Sequence, residues 1–160
     1  MKRAFKLEGG ELVDDVTHAR EVMAKHPDAK IYVGTDSQNK KRYTNYAVAV
    51  VFRYGYRGAH YMYHRYKIKK IRDRWSRLWK EVELSIEVAN RLKEHGIPIY
   101  AIDLDFNGDE TYVDSNGRSK QAGSNMMVSS ACGYCIGLGY KVIIKPEEQI
   151  AAKAADHLCR

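Results

Sequence analysis

Apolar side chains recur along the chain with two different spacings, which predict where helices and strands lie. Spacings of three and four residues, typical of a helix with one buried side, occur over 11–26 and 74–95. Segments 125–138 and 147–158 are also predicted to be helical. Alternating or continuous apolar runs rich in β-branched residues predict strands at 30–36, 43–53, 59–70, 97–106 and 140–144. The predicted order is one helix followed by β-β-β-α-β-α-β-α.

The connections between these segments predict how the strands are arranged. A Gly-containing turn over 54–58 joins the second and third strands as an antiparallel hairpin. Strands that are joined through a helix should run parallel, with right-handed crossovers. The sequence therefore predicts an α/β fold: a mixed five-stranded sheet with helices on both faces. We expect a single domain over 1–160, in which 1–29 form an N-terminal helical extension.

Composition restricts the class of protein. No apolar stretch is long enough to cross a bilayer, and no apolar segment follows the first basic residues as in a secretory signal. Three cysteines cannot all pair in disulfides, which is typical of a reduced compartment. We expect a cytoplasmic protein with no membrane partner.

Positive charge is concentrated in one part of the chain. The window 40–80 holds 13 Lys or Arg and one acid, Asp73, so it carries +12 while the whole chain carries +7. Seven tyrosines interleave with these basic residues: Tyr43, Tyr46, Tyr54, Tyr56, Tyr61, Tyr63 and Tyr66. Such a surface attracts a polyanion, and the rings can stack on bases, which favours nucleic acid as the partner. The alternative is a solvated sheet face, where Tyr and Arg are ordinary strand residues.

Acidic residues end two of the predicted parallel strands. Asp36 closes the strand at 30–36, and Asp103 and Asp105 lie near the end of the strand at 97–106. Open α/β sheets bind their ligands at the edge formed by the carboxyl ends of the parallel strands. Carboxylates at such short distances repel one another unless a cation lies between them. The pattern predicts a divalent-metal site, although Asp36 could instead cap a turn together with Ser37.

Two helices can add further carboxylates. On the helix at 74–95, Glu81 lies about 60° from Leu78, at the margin of the buried stripe, whereas Glu83 and Glu87 should face solvent. Glu81 is therefore the predicted ligand; the alternative is an ion pair with a basic neighbour on the helix. Periodicity does not place Asp156 on the last helix.

The element order resembles that of the ribonuclease H fold, and so does the placement of four acids: Asp36, Glu81, Asp105 and Asp156. Four segments resemble the YkuK-type RNase H-like family more closely, over about 10–158: "VGTDSQ" (33–38), "EVA" (87–89), "DLDFN" (103–107) and "IKPEEQIAAKAAD" (144–156). The resemblance implies that Asp36, Glu81, Asp105 and Asp156 are catalytic acids and metal ligands. Asp103 stands where that family usually has a histidine, and it is a further candidate ligand.

A carboxylate cluster of this kind would hold two Mg²⁺ or Mn²⁺ ions and hydrolyse a phosphodiester. The hypothesis is a metal-dependent nuclease acting on RNA, DNA or a hybrid; the alternative is a non-catalytic nucleic-acid-binding module on the same fold. The residues predicted to contact the substrate backbone or bases lie in the hairpin and in the loop after the fourth strand: Tyr63, Arg65, Lys67, Lys69, Asn107, Arg118, Ser119 and Lys120.

One further motif is a Cys-x-x-Cys pair, Cys132 and Cys135. This spacing is typical of redox sites when it opens a helix after a strand. Here it lies within or at the end of a predicted helix, which favours buried packing residues over redox chemistry.

Overall fold

The computed structural model describes residues 4–56, 58–107, 111–113, 119–121, 124–145 and 150–160, with side chains for all of these except 106–127 and 145. The secondary-structure elements, in chain order, are β1 (Ala4–Leu7), β2 (Leu12–Asp14), α1 (Asp15–Lys25), β3 (Lys30–Asn39), β4 (Tyr43–Tyr54), β5 (Gly58–Lys69), α2 (Arg74–Glu94), β6 (Ala101–Asn107), β7 (Thr111–Val113), β8 (Ser119–Gln121), α3 (Ser124–Gly137), β9 (Val142–Lys145) and α4 (Ile150–Leu158).

Seven strands form one mixed sheet in the order β2-β1-β5-β4-β3-β6-β9. Strands β3, β4 and β5 are antiparallel neighbours, while β6 and β9 run parallel to β3. The predicted α/β fold and the predicted directions of the five strands are confirmed. β3 lies between the hairpin and the parallel strands, so its carboxyl end is at the middle of the sheet.

The N-terminal segment differs from the prediction. The first helix begins at Asp15 rather than at residue 11, and β1 and β2 form a hairpin that extends the sheet beyond β5. Each of these strands has at most four residues, too short for alternation to reveal. The predicted five-stranded sheet therefore gains two strands. The long loop expected over 107–124 also contains a small hairpin, β7–β8.

The two faces of the sheet are covered differently. One face packs on α1, α2 and α3 in a core that includes Ile31, Val33 and Val88, all fully buried. The other face packs on α4 through small side chains such as Ala47 and Ala155. Successive β3 residues alternate between these faces because strand side chains alternate.

Short capping side chains fix the helix starts. Asp14 accepts a hydrogen bond from the Thr17 amide at the start of α1. Asp73 accepts one from the Ser76 amide at 2.8 Å at the start of α2. The only acid of the basic window is thus a helix cap.

Gly34 lets α4 lie directly on the central strand. A Cβ at this position would lie 2.6 Å from the Ala152 nitrogen and 2.9 Å from the Ala151 carbonyl carbon. Only glycine permits this backbone approach without displacing the helix. The contact fixes the height of α4 above β3 close to Asp36. In the described part of the chain, no helix is both long and apolar enough to cross a membrane.

Candidate metal centre

Asp36 lies on the α4 side of β3, two residues beyond Gly34. It is directly opposite Ala47 of β4, a fully buried small residue that leaves room above the strand. Its Oδ1 accepts a hydrogen bond of 2.9 Å from the Ser37 amide. Asp36 is partly buried, and its carboxyl group faces the last two turns of α4.

Asp36 and Asp156 are near neighbours and influence each other's titration. Burial raises the pKa of Asp36 to about 7, and the hydrogen bond with Asp156 and the negative charges of Asp105 and Asp156 raise it further, against the Ser37 amide. The pKa of Asp156 is lowered. Burial acts to raise it, but hydrogen bonds with Asp36 and Arg160 outweigh burial. Arg160 donates to Asp156 at 2.9 Å. The opposite directions of the two pKa shifts indicate that, when the pair holds a single proton, Asp36 donates it to the Asp156 carboxylate.

Glu81 reaches the same region from α2, on the opposite face of the sheet. It is only 4% exposed, as its position at the margin of the apolar stripe predicted. The Ser37 hydroxyl donates a hydrogen bond of 2.6 Å to its Oε2. Burial raises the pKa of Glu81 well above its ordinary value, and the charges of Asp36 and then Asp105 add to the rise, while the Ser37 hydrogen bond and the Arg77 charge lower it.

Asp105, near the end of β6, completes the set of acids. It is partly buried, and its charge raises the pKa of both Asp36 and Glu81. Carboxyl groups from β3, α2, β6 and α4 thus act on one another electrostatically, as expected from the topology. Carboxylate oxygens are the ligand chemistry that suits Mg²⁺ or Mn²⁺, and the raised pKa values of Asp36 and Glu81 show that negative charge is disfavoured at this point when no cation is bound.

Cys159 lies beside Asp36 and Asp156, and it was not predicted from the sequence as a possible ligand. One ligand atom each from Asp36, Asp156 and Cys159 lie within 4.8 Å of one another. Cys159 follows Asp156 by three residues, so both are on the same side of the chain's last helical turn; this spacing was the available signal. Burial raises the pKa of the Cys159 thiol to about 12, with the Asp36 charge adding to it, so the group is a neutral thiol.

Most of the chain matches one family model. The family model described as Ribonuclease H-like matches residues 12–160. The chain belongs to the Ribonuclease H-like family. No curated protein and no solved structure matches it. The match covers every element that contributes an acid to the cluster, from β3 to α4.

Asp103 of this Ribonuclease H-like chain caps α4. Its Oδ2 accepts hydrogen bonds from the Ala151 amide at 2.7 Å and the Ala152 amide at 3.3 Å. Burial raises its pKa to about 6, against the hydrogen bonds from these amides and that of Ile150. Its Oδ1 is buried with no hydrogen-bond partner among the described residues. The contacts show Asp103 positioning the helix that carries Asp156; metal ligation by Asp103 stays a prediction.

The basic residues of β5 share the α4 face with Asp36. The register aligns Asp36 with Ala47 and then Arg65, so Arg65 lies two strands away from the acid in the same row. Arg65 donates a hydrogen bond of 2.8 Å to the Leu158 carbonyl and lies over the ring of the nearly buried Tyr63. Arg65, a predicted nucleic-acid contact, therefore also holds the end of α4, and Tyr63 packs against Arg65.

The other predicted contacts divide into two groups. Lys67 and Lys69 are exposed, and the Lys67 ammonium lies 3.9 Å from the centre of the Tyr43 ring. The remaining four predicted contacts lie outside the described side chains: Asn107, Arg118, Ser119 and Lys120.

The Cys-x-x-Cys pair lies inside α3. Cys135 is fully buried in the main core, and Cys132 packs against that core. Burial raises the pKa of both thiols, that of Cys135 to about 12. A buried thiol with a raised pKa is a poor nucleophile, so the arrangement supports a packing role.

Proposed function

We propose that this Ribonuclease H-like protein is a divalent-metal-dependent nuclease that hydrolyses phosphodiester bonds in a nucleic acid. The observation that carries the proposal is that several acids act on one another's charge. The charge of Asp105 raises the pKa of both Asp36 and Glu81, and Asp36 is also hydrogen-bonded to Asp156. Carboxyl groups destabilise one another in this way unless a cation compensates them. We further propose that the chain falls in the YkuK-type branch, on the sequence segments that it shares with that branch.

The proposed ligands are Asp36, Glu81, Asp105 and Asp156, with Mg²⁺ or Mn²⁺ as the cofactor. When bound, the ions would activate water and stabilise the charge that develops on the phosphoryl group. Ser37 positions two of the acids, because its amide donates to Asp36 while its hydroxyl donates to Glu81.

The proposed substrate path runs from the acids toward β5. A second row of paired residues lies two positions further along the strands than the row of Asp36, Ala47 and Arg65. It consists of Gln38, Asn45 and Lys67. Lys40 donates a hydrogen bond of 2.8 Å to the Gln38 side chain, which places another ammonium beside this row. A polyanion along this row would meet exposed ammonium groups on leaving the acids, which supports nucleic acid as the substrate.

The test is cleavage of single-stranded RNA, single-stranded DNA, both duplexes and an RNA–DNA hybrid, with Mg²⁺, Mn²⁺ or chelator. We expect metal-dependent cleavage of at least one substrate, lost in Asp36→Asn and in Glu81→Gln. Glu83→Gln is the matched control, because Glu83 lies two residues from Glu81 but is 51% exposed in its pair with Lys80. Activity that survives in Asp36→Asn would come from a contaminant and would contradict the proposal.

The same preparation distinguishes the alternative function. Tight binding of a nucleic acid that the protein never cleaves, with any metal, would indicate a non-catalytic binding module. Loss of that binding in Lys67→Glu/Lys69→Glu, but not in Asp36→Asn, would assign it to β5 instead of to the acids.

A further inference from the structure

A second group of metal-binding side chains lies far from the carboxylates, between α1 and the outer part of the sheet. His18 of α1 and His60 of β5 face each other with their Nε2 atoms 2.6 Å apart. This separation is below the usual range of about 2.7–3.2 Å for bonds donated by N–H groups. Only one of the two nitrogens can donate, so the other directs a lone pair at its neighbour.

Both rings are held in place by a core side chain. Phe52 is fully buried and lies directly opposite His60 in the sheet. Its ring centre is 6.2 Å from that of His18 in an edge-on contact and 6.0 Å from that of His60. The imidazoles are thus fixed by packing as well as by their own contact, which is the preorganisation that a ligand pair needs.

Acidic side chains surround the pair. Glu21 Oε2 is 3.9 Å from His18 Nδ1, the nitrogen that faces away from His60. A carboxylate beside the far nitrogen of a histidine is a common second contact in metal sites. At 3.9 Å the contact with Glu21 is electrostatic, and a hydrogen bond requires the exposed Glu21 side chain to move closer. From the β1–β2 turn, the charge of Glu8 acts on His60 and that of Glu11 on His18.

The pair opens onto a place where an ion could enter. His18, Glu21 and His60 line an open cleft of about 250 Å³, together with Val22, Lys25, His26 and Tyr54. Burial lowers the pKa of both His18 and His60, and the His60 charge and then that of Lys25 lower the pKa of His18 further. The charges of Glu21 and Glu11 on His18, and of Glu8 on His60, oppose this but do not reverse it, so the neutral form of both rings is favoured at pH 7. Neutral imidazole is the form that binds a metal.

We propose that His18 and His60 bind one divalent transition-metal ion of the Zn²⁺ class through their Nε2 atoms, with Glu21 positioning His18. Imidazole nitrogens favour Zn²⁺, Ni²⁺ or Cu²⁺ over Mg²⁺, so this site differs in selectivity from the carboxylate cluster. Nitrogens about 2.0–2.1 Å from a tetrahedral Zn²⁺ are about 3.3 Å apart, so the rings need to separate by less than ~1 Å. The bound ion would tie α1 to β5.

The test is calorimetric titration of tag-free protein with Zn²⁺ in the presence of saturating Mg²⁺. The Asp36→Asn variant serves as the starting protein, so that the carboxylate cluster contributes little. We expect one equivalent of Zn²⁺ to bind, and this equivalent to be lost when His60→Gln or His18→Gln is added. His95→Gln is the control, because His95 is exposed at the end of α2 and should leave the Zn²⁺ equivalent intact.

A spectroscopic measurement keeps the test independent of how well the variants fold. Cu²⁺ added to the Asp36→Asn protein should show electron paramagnetic resonance couplings to two imidazole nitrogens. Unchanged Zn²⁺ binding in His60→Gln, or Cu²⁺ with oxygen ligands only, would overturn the proposal. Neither result bears on nuclease activity, which depends on the other cluster.

Discussion

Asp36→Asn should make the metal-free protein more stable at pH 8, although it removes the proposed central ligand. In the wild type, burial and the neighbouring acids raise the Asp36 pKa to about 7 from its ordinary 3.8. At pH 8 the group must be charged in the folded state, where it is disfavoured. The amide of Asn keeps an acceptor for Ser37 and can donate to Asp156 without carrying a charge.

The size of the effect follows from the shift. The rise of the pKa from 3.8 to about 7 corresponds to roughly 4 kcal/mol if it is assigned entirely to Asp36. Asp36 is partly exposed and shares its proton with Asp156, so solvent screening and this sharing reduce the expected gain to about 1–2 kcal/mol. For a chain of this size, such a gain raises Tm by roughly 2–8 °C.

The pH dependence has a definite sign. Because the folded-state pKa is raised, the unfolded chain releases the Asp36 proton first as the pH increases. The wild type therefore loses stability between pH 3.8 and about 7, after which the loss is complete and constant. Asp36→Asn lacks this contribution, so its advantage should be absent at pH 4 and full at pH 8.

The assay is thermal unfolding in chelator at pH 4, 6 and 8, repeated with saturating Mn²⁺ at pH 8. Mn²⁺ should raise the Tm of the wild type and much less that of Asp36→Asn. Asp28→Asn is the control, since Asp28 is exposed and the change should alter stability by no more than about 0.5 kcal/mol. A lower Tm for metal-free Asp36→Asn at pH 8, or an equal gain at pH 4, would refute the reasoning.

Three further predictions concern the surroundings of the acids. Gly34→Val should lower the free energy of unfolding by at least about 1–3 kcal/mol and reduce cleavage, because even a Cβ would lie 2.6 Å from the Ala152 nitrogen. Thermal unfolding and turnover measure these effects, and an unchanged Tm would contradict the close approach of α4. Asp103→Ala should lower the free energy of unfolding by about 1–2 kcal/mol, because it leaves the first amides of α4 without their acceptor. Asp103→Asn should lower it less. Chemical denaturation compares the two variants, and equal losses would argue against a capping role. Lys67→Glu/Lys69→Glu should weaken nucleic-acid binding and reduce its salt dependence, measured by fluorescence anisotropy across salt concentrations; an unchanged salt slope would exclude these lysines as phosphate contacts. The cost in stability should stay at about 0.5–1 kcal/mol, from the lost contact of Lys67 with the Tyr43 ring.

Much of the fold was predictable because its long elements have strong periodicity. α2 was predicted over 74–95 and is found at Arg74–Glu94, and the parallel strands follow from the crossover rule. The N-terminal hairpin was not predictable, since β1 and β2 are short and their apolar partner, Met62, lies on a strand far along the chain. The small hairpin β7–β8 escaped prediction for the same reason of length.

The candidate site was predictable to the extent that topology determined it. Asp36 and Asp105 follow from the edge where parallel strands end, and Glu81 follows from its angle on α2. Asp156 was not placed by its helix, because alanines on several sides of α4 hide which side is buried. Cys159 was missed because its three-residue spacing from Asp156 becomes informative only once Asp156 has been placed.

Two aspartates on neighbouring strands show what separates a structural acid from a candidate ligand. Asp103 pairs in register with Gly34 of β3, two residues from Asp36, and both carboxyl groups are held partly or fully out of water. Asp103 meets the positive end of a helix, so backbone amides compensate its charge and its pKa rises only to about 6. Asp36 meets Asp156 and the charge of Asp105, so its neighbours add to the cost of its burial and its pKa rises to about 7. The sequence gives both residues the same type and similar strand positions; the difference comes from where α4 presents its amides and where it presents its own carboxylate. A proton or a bound cation can compensate Asp36, whereas Asp103 is already compensated by amides, and this is why the nuclease proposal rests on Asp36 more than on Asp103.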